Sequence, residues 1–322
     1  MVDGTGAGLL LGFLADRVLG DPRRRHPVAG FGRAALALQK PLYADRRANG
    51  MLYELVLVGG TLAGGALAAR AAGGRRTART TGPVPYAFAV AAATWVVLGG
   101  RSLEREAAAV HALAEAGDLP AARLRVRALV GRDPSRLDGD ELARACVESL
   151  AENTSDAVVA PLFWGAVAGI PGLLGYRAIN TLDAMVGHRT PRWERFGWAA
   201  ARVDDVANLV PARVATALTA VLSRRPREVL RVVRRDAPAH PSPNAGPIES
   251  AFAATLGVRL GGSNVYAGVA ENRGTLGDGR SVRLDDVPRA IRLSGRLSWA
   301  TVAAVLALRG VGRAVRAWSG RR

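Results

Sequence analysis

Residues 157–176 read AVVAPLFWGAVAGIPGLLGY, and residues 80–100 read TTGPVPYAFAVAAATWVVLGG, neither containing a charge. A 20-residue helix rises about 1.5 Å per residue and is about 30 Å long, the thickness of a bilayer's hydrocarbon core. Residues 55–69 (LVLVGGTLAGGALAA) extend the pattern through Met51–Tyr53 if Glu54 sits at the interface, and Gly60 and Gly64 offer a small-xxx-small face for close helix contact. Residues 206–222 are apolar apart from Arg213, and 297–308 is a weaker C-terminal candidate. A soluble all-α protein with buried helices is the competing reading. Two clean spans with arginine-rich flanks favour an all-α polytopic integral membrane protein. It would have about four or five hydrophobic helices, with amphipathic helices and polar loops between them.

The rest of the chain fits that class. Its 322 residues, 49% apolar with a mean hydropathy of +0.10, are ample for a core and exclude disorder. The net charge of +17 comes from 44 basic and 27 acidic residues, and Lys40 is the only lysine. With aromatics at 5% and no basic stripe among them, this reads as genome composition rather than a nucleic-acid interface. Cys146 stands alone and the four histidines are scattered, which excludes a disulfide scaffold and a zinc centre. Residues 6–15 lack a basic n-region and run into Asp16, so they read as a retained helix rather than a signal peptide. Residues 101–156 read as amphipathic helices broken at Gly117–Pro120 and Gly131–Ser135. Residues 223–296 read as a proline-, asparagine- and glycine-rich tail poor in strands. Orientation stays open. The basic stretches Arg17–Arg47 and Arg70–Arg79 both ask for the cytoplasm, yet one span separates them.

Three acidic clusters abut the apolar runs. Glu148, Glu152 and Asp156 are spaced for one helix face; Asn180 and Asp183 follow the 157–176 run; Asp204, Asp205 and Asn208 precede Arg213. Carboxylates near lipid are costly unless paired or functional. For any one cluster, helix caps and ion pairs with Arg177, Arg202 and Arg213 suffice. Three clusters interleaved with Asn153, Asn180 and Asn208 point to a polar site for Mg²⁺ and phosphate, because hard cations take oxygen ligands. No P-loop, dinucleotide fingerprint or nucleophile elbow is present.

Taken together these strings resemble the adenosylcobinamide-phosphate synthases, the CobD/CbiB family of cobalamin biosynthesis. The resemblance rests on Glu148-Ser-Leu-Ala-Glu-Asn-Thr-Ser-Asp156 with Ala160-Pro-Leu-Phe163, Asn180-Thr-Leu-Asp-Ala-Met-Val-Gly187, Phe196 to Asn208 with its Arg202-Val-Asp-Asp205, and Pro211-Ala-Arg213. Gly20-Asp-Pro22, His26-Pro-Val28, Val130-Gly-Arg-Asp133 and Ser242-Pro-Asn-Ala-Gly246 fall in the family's order, from about Asp16 to about Gly277. Trp193 stands where the family usually has tyrosine, and Pro247-Ile248 replaces the usual Trp-Pro, while Glu249 keeps its place.

The resemblance implies a single membrane-embedded domain over 1–322, in a multi-pass protein of the bacterial inner membrane. It implies an ATP-dependent acid–amine ligase that joins (R)-1-aminopropan-2-ol, or its O-phosphate, to the carboxylate of adenosylcobyric acid, giving adenosylcobinamide (phosphate). Partners would be that corrinoid, the amino alcohol and the lipid bilayer, with no nucleic acid. Mg²⁺ and ATP are implied, and no bound prosthetic group. Glu152, Asp156, Asp183, Asp204 and Asp205 are the candidate bases or metal ligands, with Asp156, Asp204 and Asp205 for the ion. Arg202 and Arg213 are candidate phosphate clamps; Asn153, Asn180 and Asn244 are candidates for the corrin's amide rim, and Asn208 is a further substrate-binding candidate. Two other classes remain: a membrane sensor of the kind linked to β-lactamase induction, without ligase activity, and a transporter using Arg213 as counter-charge. The 157–176 run is expected to be a broken hairpin, because Gly169-Ile-Pro171-Gly172 removes a donor and permits a turn.

Overall fold

The computed structural model describes residues 3–22, 26–73, 83–188, 190–266 and 269–319. The basic residues at 23–25 and 75–79, and the first three positions of the 80–100 run, lie outside the described residues. The helices are α1 (Gly4–Leu19), α2 (Pro27–Leu42), α3 (Arg47–Ala71), α4 (Pro83–Val97), α5 (Gly100–Glu115), α6 (Leu119–Val126), α7 (Gly139–Thr154), α8 (Ala160–Ala168), α9 (Ile170–Val186), α10 (Trp198–Leu222), α11 (Pro226–Asp236), α12 (Ala245–Leu256) and α13 (Asp286–Ser319). A π-helical turn, Ser155–Val159, joins α7 to α8. Strands β1 (Val258–Tyr266), β2 (Val269–Leu276) and β3 (Arg280–Ser281) lie between α12 and α13. Among the described residues four stretches are long and apolar enough to cross a membrane: Arg47–Ala71, Val84–Glu115, Trp198–Leu222 and Asp286–Gly312. Their outward faces are greasy, from Leu67 at 63% exposed to Val206 and Leu308 at 72%. The chain is an all-α polytopic membrane protein with one small sheet.

The chain forms two compact units. The first comprises Met1–Gly99, Ala160–Asn208 and Val302–Arg322; the second comprises Gly100–Val159 and Leu209–Thr301. In the first unit α1 lies backbone-to-backbone on α4, because a Cβ at Gly8 would stand 2.5 Å from Val90 Cβ and one at Gly12 would stand 2.4 Å from Thr94 Cβ. This is the small-xxx-small contact expected of Gly60 and Gly64, moved to a different helix. No atom lies within 4 Å of a Cβ placed at either of those residues. Helix α3 instead packs on α9 through Gly65, where a Cβ would be 3.0 Å from Pro171 Cα. Tyr53, Leu182, Val186, Phe196, Ala200 and Ala35 close the core beside it. Arg309 ties the C-terminal segment to the N-terminus through Asp3, at 2.6 and 3.0 Å.

The 157–176 run is broken where its sequence suggested. Gly169 takes φ +66°, ending α8, and Ile170 starts α9 with Pro171 in its first turn, where the missing donor costs little. The two helices then fold back on each other. A Cβ at Gly172 would meet the Trp164 carbonyl oxygen at 2.1 Å, eight residues earlier in sequence.

The second unit holds the larger apolar core, drawn from α5, α6, α7, α12, the sheet and α13. Asp138 and Glu141 start α7 with a reciprocal cap: Glu141 N–H donates to Asp138 Oδ1 at 2.8 Å and Asp138 N–H to Glu141 Oε2 at 2.9 Å. The strand-poor expectation for 223–296 is wrong locally. Strand β1 pairs antiparallel with β2 (Leu260 opposite Leu276) and parallel with β3. Its glycines hid it from a propensity reading: the register slips between Gly261 and Ser263, and Gly261 and Gly262 sit at φ +78° and +84°.

Gly172→Ala should lower the thermal midpoint in detergent by an amount matching about 1–3 kcal/mol of overpacking. Gly59→Ala, with no atom within 4 Å of its Cβ, should not destabilise, and should add at most the roughly 0.5–1 kcal/mol that a mid-helix glycine costs relative to alanine. Equal, small effects of both changes would show that α8 and α9 do not meet at Gly172.

Candidate functional site

Motifs far apart in sequence meet in pairs. In the first unit, Asn180 and Asp183 on α9 meet Asp204 and Asn208 on α10. Asn208 Nδ2–H donates to Asp204 Oδ2 at 2.9 Å, its Oδ1 accepts from Tyr176 Oη–H at 2.8 Å, and Asn180 lies near Asp204, whose Oδ1 is buried without a hydrogen bond. Trp164 of α8 donates from Nε1 to the Ala207 carbonyl at 3.0 Å, holding this part of α10 to the hairpin. Glu54 of α3 completes the group. It is 5% exposed, neither carboxylate oxygen has a hydrogen bond, and the charges that reach it are those of Asp183 and Asp204. The sequence reading placed Glu54 at the interface; the structure buries it among acids. Arg202 and Asp205 lie on the same helix, 4.0 Å apart, with Arg202 well exposed.

The second unit brings together the other motifs. Arg132, of Val130-Gly-Arg-Asp133, donates from Nη1 to Glu148 Oε2 at 2.8 Å, with side chains 3% and 8% exposed. Glu148 Oε1 accepts from Gly261 N–H at 2.9 Å, and Arg144 Nη1 reaches it at 3.4 Å while also donating to the Gly261 carbonyl. Glu152 stands one turn on, its carboxyl pushed up by burial, drawn back by Arg273 and raised again by Glu148. Asn153 uses its amide nitrogen on Ser149, at 3.0 Å to both the carbonyl and Oγ. Asp156 lies in the π turn, a feature that frequently marks functional sites.

Arg213 and Asn244 also meet. Arg213 Nη1 donates to Asn244 Oδ1 at 2.7 Å and to the Leu209 carbonyl at 3.1 Å, so the arginine inside the 206–222 run is partnered as its position demands. Ser242 Oγ receives the N–H of Asn244 at 3.3 Å and of Ala245 at 3.1 Å, shaping the start of α12. One turn into α12, Glu249 is fully buried and neither oxygen has a hydrogen bond. His240 Nε2 stands 3.7 Å from Glu249 Oε1, beyond hydrogen-bond reach. Burial and the charges of Glu148 and Glu152 push the Glu249 carboxyl well up, while burial and Arg273 push His240 down to about 4. Ser242 N–H donates to His240 Nδ1 at 3.0 Å, which leaves the hydrogen of the neutral ring on Nε2, facing Glu249.

Sequence reading thus found most members of both groups and missed Glu54, Arg132, Arg144, His240 and Arg273 as partners. Only Arg132 carried a signal, its place in a motif. Gly20-Asp-Pro22 and His26-Pro-Val28 act structurally: Gly20 O accepts from Trp95 Nε1 at 2.9 Å, and His26 Nδ1 caps α2 through Val28 N–H at 3.1 Å. Trp193 packs edge-on to Tyr43, with Arg192 over its ring at 4.6 Å. Among the described residues no three His, Cys, Asp or Glu side chains gather to cage a metal ion.

Removing one partner of a buried ion pair costs about 3–5 kcal/mol. Arg132→Ala should fall near the lower end by chemical unfolding in detergent, because Arg144 and Gly261 still serve Glu148. A loss under about 1 kcal/mol would mean that Glu148 does not depend on Arg132. His240 gives a pH dependence of definite sign. Between about 6.5 and about 4 the unfolded ring takes a proton that the folded ring refuses, so its contribution to stability falls as pH falls through that window. Glu249 and Glu152 act in the opposite sense, their folded carboxyls holding protons that unfolded ones release. The difference between wild type and His240→Gln isolates the imidazole: the variant should lose less stability between pH 6.5 and 4. Parallel curves would refute the assignment.

Comparison with known proteins places the chain. Residues 9–294 match the family model described as CobD/Cbib protein. "Cobalamin biosynthesis protein CobD" of Mycobacterium tuberculosis (strain ATCC 25618 / H37Rv) is 50% identical over 292 residues, covering 89% of this chain and 90% of that one. The protein of the same name from Chromobacterium violaceum is 41% identical over 309 residues, covering 93% and 95%. The one from Rhodobacter capsulatus is 51% identical over 203 residues, covering 63% and 65%. No solved structure matches the chain. The chain belongs to the CobD/CbiB protein family.

Proposed function

We propose that this chain is a membrane enzyme of cobalamin biosynthesis that makes an amide bond. It would join (R)-1-aminopropan-2-ol, or its O-phosphate, to the corrin carboxylate of adenosylcobyric acid, at the expense of ATP. The observation that carries the reading is the pairwise meeting of the motifs: Asn180 and Asp183 with Asp204 and Asn208, Arg132 with Glu148, and Arg213 with Asn244. These are the strings in which the chain resembles amide-forming synthases, and they converge on carboxylates, amides and arginines rather than dispersing as separate caps.

The chemistry asks for such groups. A carboxylate resists attack by an amine, so one of its oxygens first takes the terminal phosphoryl group of ATP, releasing ADP. The amine nitrogen then attacks the acyl carbon, the C–N bond forms, the C–O bond to phosphate breaks, and inorganic phosphate leaves. The nitrogen must shed a proton, and a positioned carboxylate can accept it. Asp204, oriented by Asn208, is suited to that task. Arg213, held by Asn244, and the exposed Arg202 present planar donors that match phosphate oxygens. Mg²⁺ would neutralise phosphoryl charge when bound with ATP. Magnesium commonly uses one or two carboxylates plus substrate phosphates, so the lack of a three-ligand cluster among the described residues suits an ion that arrives on the nucleotide. Asp204 and Asp205, neighbours on α10, are its candidate ligands in the first unit.

Purified protein in detergent, given adenosylcobyric acid, either form of the amino alcohol, and MgATP, should release ADP and a corrinoid whose mass has gained the amino alcohol less one water. Asp204→Asn should lower turnover about 10²-fold or more with an unaltered thermal midpoint. No corrinoid product with either amine would sink the proposal.

A further inference from the structure

Helix α11 follows α10, one of the four stretches long and apolar enough to cross a membrane, after only three residues, Ser223 to Arg225. Exposed apolar surface on α10 continues to Val221, at 73%, and the arginines begin at Arg224. The step from hydrocarbon to headgroup therefore falls between these positions, and the short link keeps α11 at the bilayer surface. The helix is divided lengthwise. At 100° per residue Val229, Val232 and Asp236 share one side. Val229 packs with Val233 against Ala220 at the end of α10 and against Ala251 and Ala254 of α12, and Val232 is 3% exposed. Asp236 fixes the far end, accepting from Arg235 Nε at 2.6 Å and from the Gly277 N–H at 2.8 Å. Arg227, Arg231 and Arg234, at i, i+4 and i+7, fall on the opposite side with Leu230 at its edge, and all four are exposed.

The arginines of this segment divide in the same way. Arg225 reaches Glu228 at 3.4 Å, and Arg235, besides holding Asp236, donates to Asp278 at 2.7 and 3.0 Å. Arg224, Arg227, Arg231 and Arg234 have no carboxylate or other hydrogen-bond partner among the described residues. Arg296 of α13 reaches the Leu222 carbonyl at 3.4 Å, adding an exposed cation beside the end of α10. A rigid stripe of unpaired guanidinium groups asks for anions, and each planar fork of donors matches two phosphate oxygens. The headgroup layer supplies phosphodiesters at the height where these side chains stand, and the exposed Leu230 beside them suits the acyl boundary. Stacking on a nucleic acid would call for aromatic side chains, and residues 223–236 contain none.

We propose that Arg227, Arg231 and Arg234 of α11, with Arg224 at its start, form a docking surface for anionic phospholipid headgroups. The surface pins the C-terminal end of α10 and the α11–α12 corner to the headgroup layer. It is independent of the amide-forming reading, and none of its residues belongs to the candidate site.

Thermal unfolding of the full chain in a neutral detergent is followed as dioleoyl phosphatidylglycerol, dioleoyl phosphatidylcholine or inorganic phosphate is added at fixed ionic strength. Phosphatidylglycerol should raise the midpoint in a saturable way and phosphatidylcholine much less, and added NaCl should shrink the difference. Arg227→Gln, Arg231→Gln and Arg234→Gln combined should weaken the apparent affinity for phosphatidylglycerol about 100-fold, at about fivefold for each arginine near an anionic surface. The same three-charge change at Arg105, Arg127 and Arg136, exposed elsewhere in the second unit, should leave that affinity nearly unchanged. If the α11 triple variant yields no folded protein, Arg231→Gln alone should show the fivefold loss. Equal stabilisation by both lipids, or equal losses from the two triple variants, would reduce the effect to bulk charge and overturn the proposal. So would a response to inorganic phosphate matching that to phosphatidylglycerol, which would make this a free-phosphate site. Saturable binding of an RNA oligonucleotide through the same arginines, with no response to phosphatidylglycerol, would put a nucleic acid in place of the lipid.

Discussion

One buried carboxylate organises the second unit. Glu148 accepts from Arg132 and from the Gly261 N–H, with Arg144 close enough to share it, so a turn, a strand and a helix are fixed to one charge. Taking the ions out of water costs several kcal/mol each, and only good geometry recovers it. That requirement explains local features that look arbitrary alone. Gly261 must be a glycine because it bends at φ +78° to aim its N–H inward, and a Cβ there would strike the Gly274 carbonyl oxygen at 2.2 Å. The pairing also fixes α7, and Glu152 on the next turn inherits both the burial and the neighbouring charge of Arg273.

The first unit answers a different constraint, imposed by lipid. Helices there gain little from hiding apolar surface from one another, so they associate by close approach and by hydrogen bonds. Gly8 and Gly12 give α1 and α4 the approach; the Trp164, Tyr176 and Asn208 contacts give α8, α9 and α10 the bonds. Acids inside such a bundle are expensive and persist where something uses them.

How much of this could be read from the residues depended on range. Apolar runs, the Gly117 and Gly131 breaks and the Gly169-Ile-Pro171 turn are local, and each left a local mark. Glu54 did not, since an acid near the start of a greasy helix looks the same whether it faces headgroups or a buried Asp183. Glu249 kept its place in a motif, but nothing nearby announces that His240 lies 3.7 Å off and unbonded. The sheet was lost for a related reason. The glycine that weakens strand propensity at Gly261 serves a carboxylate more than a hundred residues earlier, Glu148, which takes its N–H. Small-residue spacing was read at Gly60 and Gly64 of α3, where a Cβ meets nothing within 4 Å, whereas the close approach falls at Gly8 and Gly12 of α1 against α4.

The first unit is discontinuous, taking residues up to 99, then 160–208, then 302 onward, with the second unit encoded in the gaps. Ribosomal synthesis delivers these pieces in order. Asp3 emerges near the beginning, whereas its guanidinium partner is Arg309, some three hundred residues later. The earliest helices must therefore wait in the membrane, incompletely assembled, while the whole second unit is made. During that interval α1 can rely on its contact with α4, built from the same early stretch of chain. The Asp3–Arg309 pair thus closes the first unit only after the whole of the second has been synthesised.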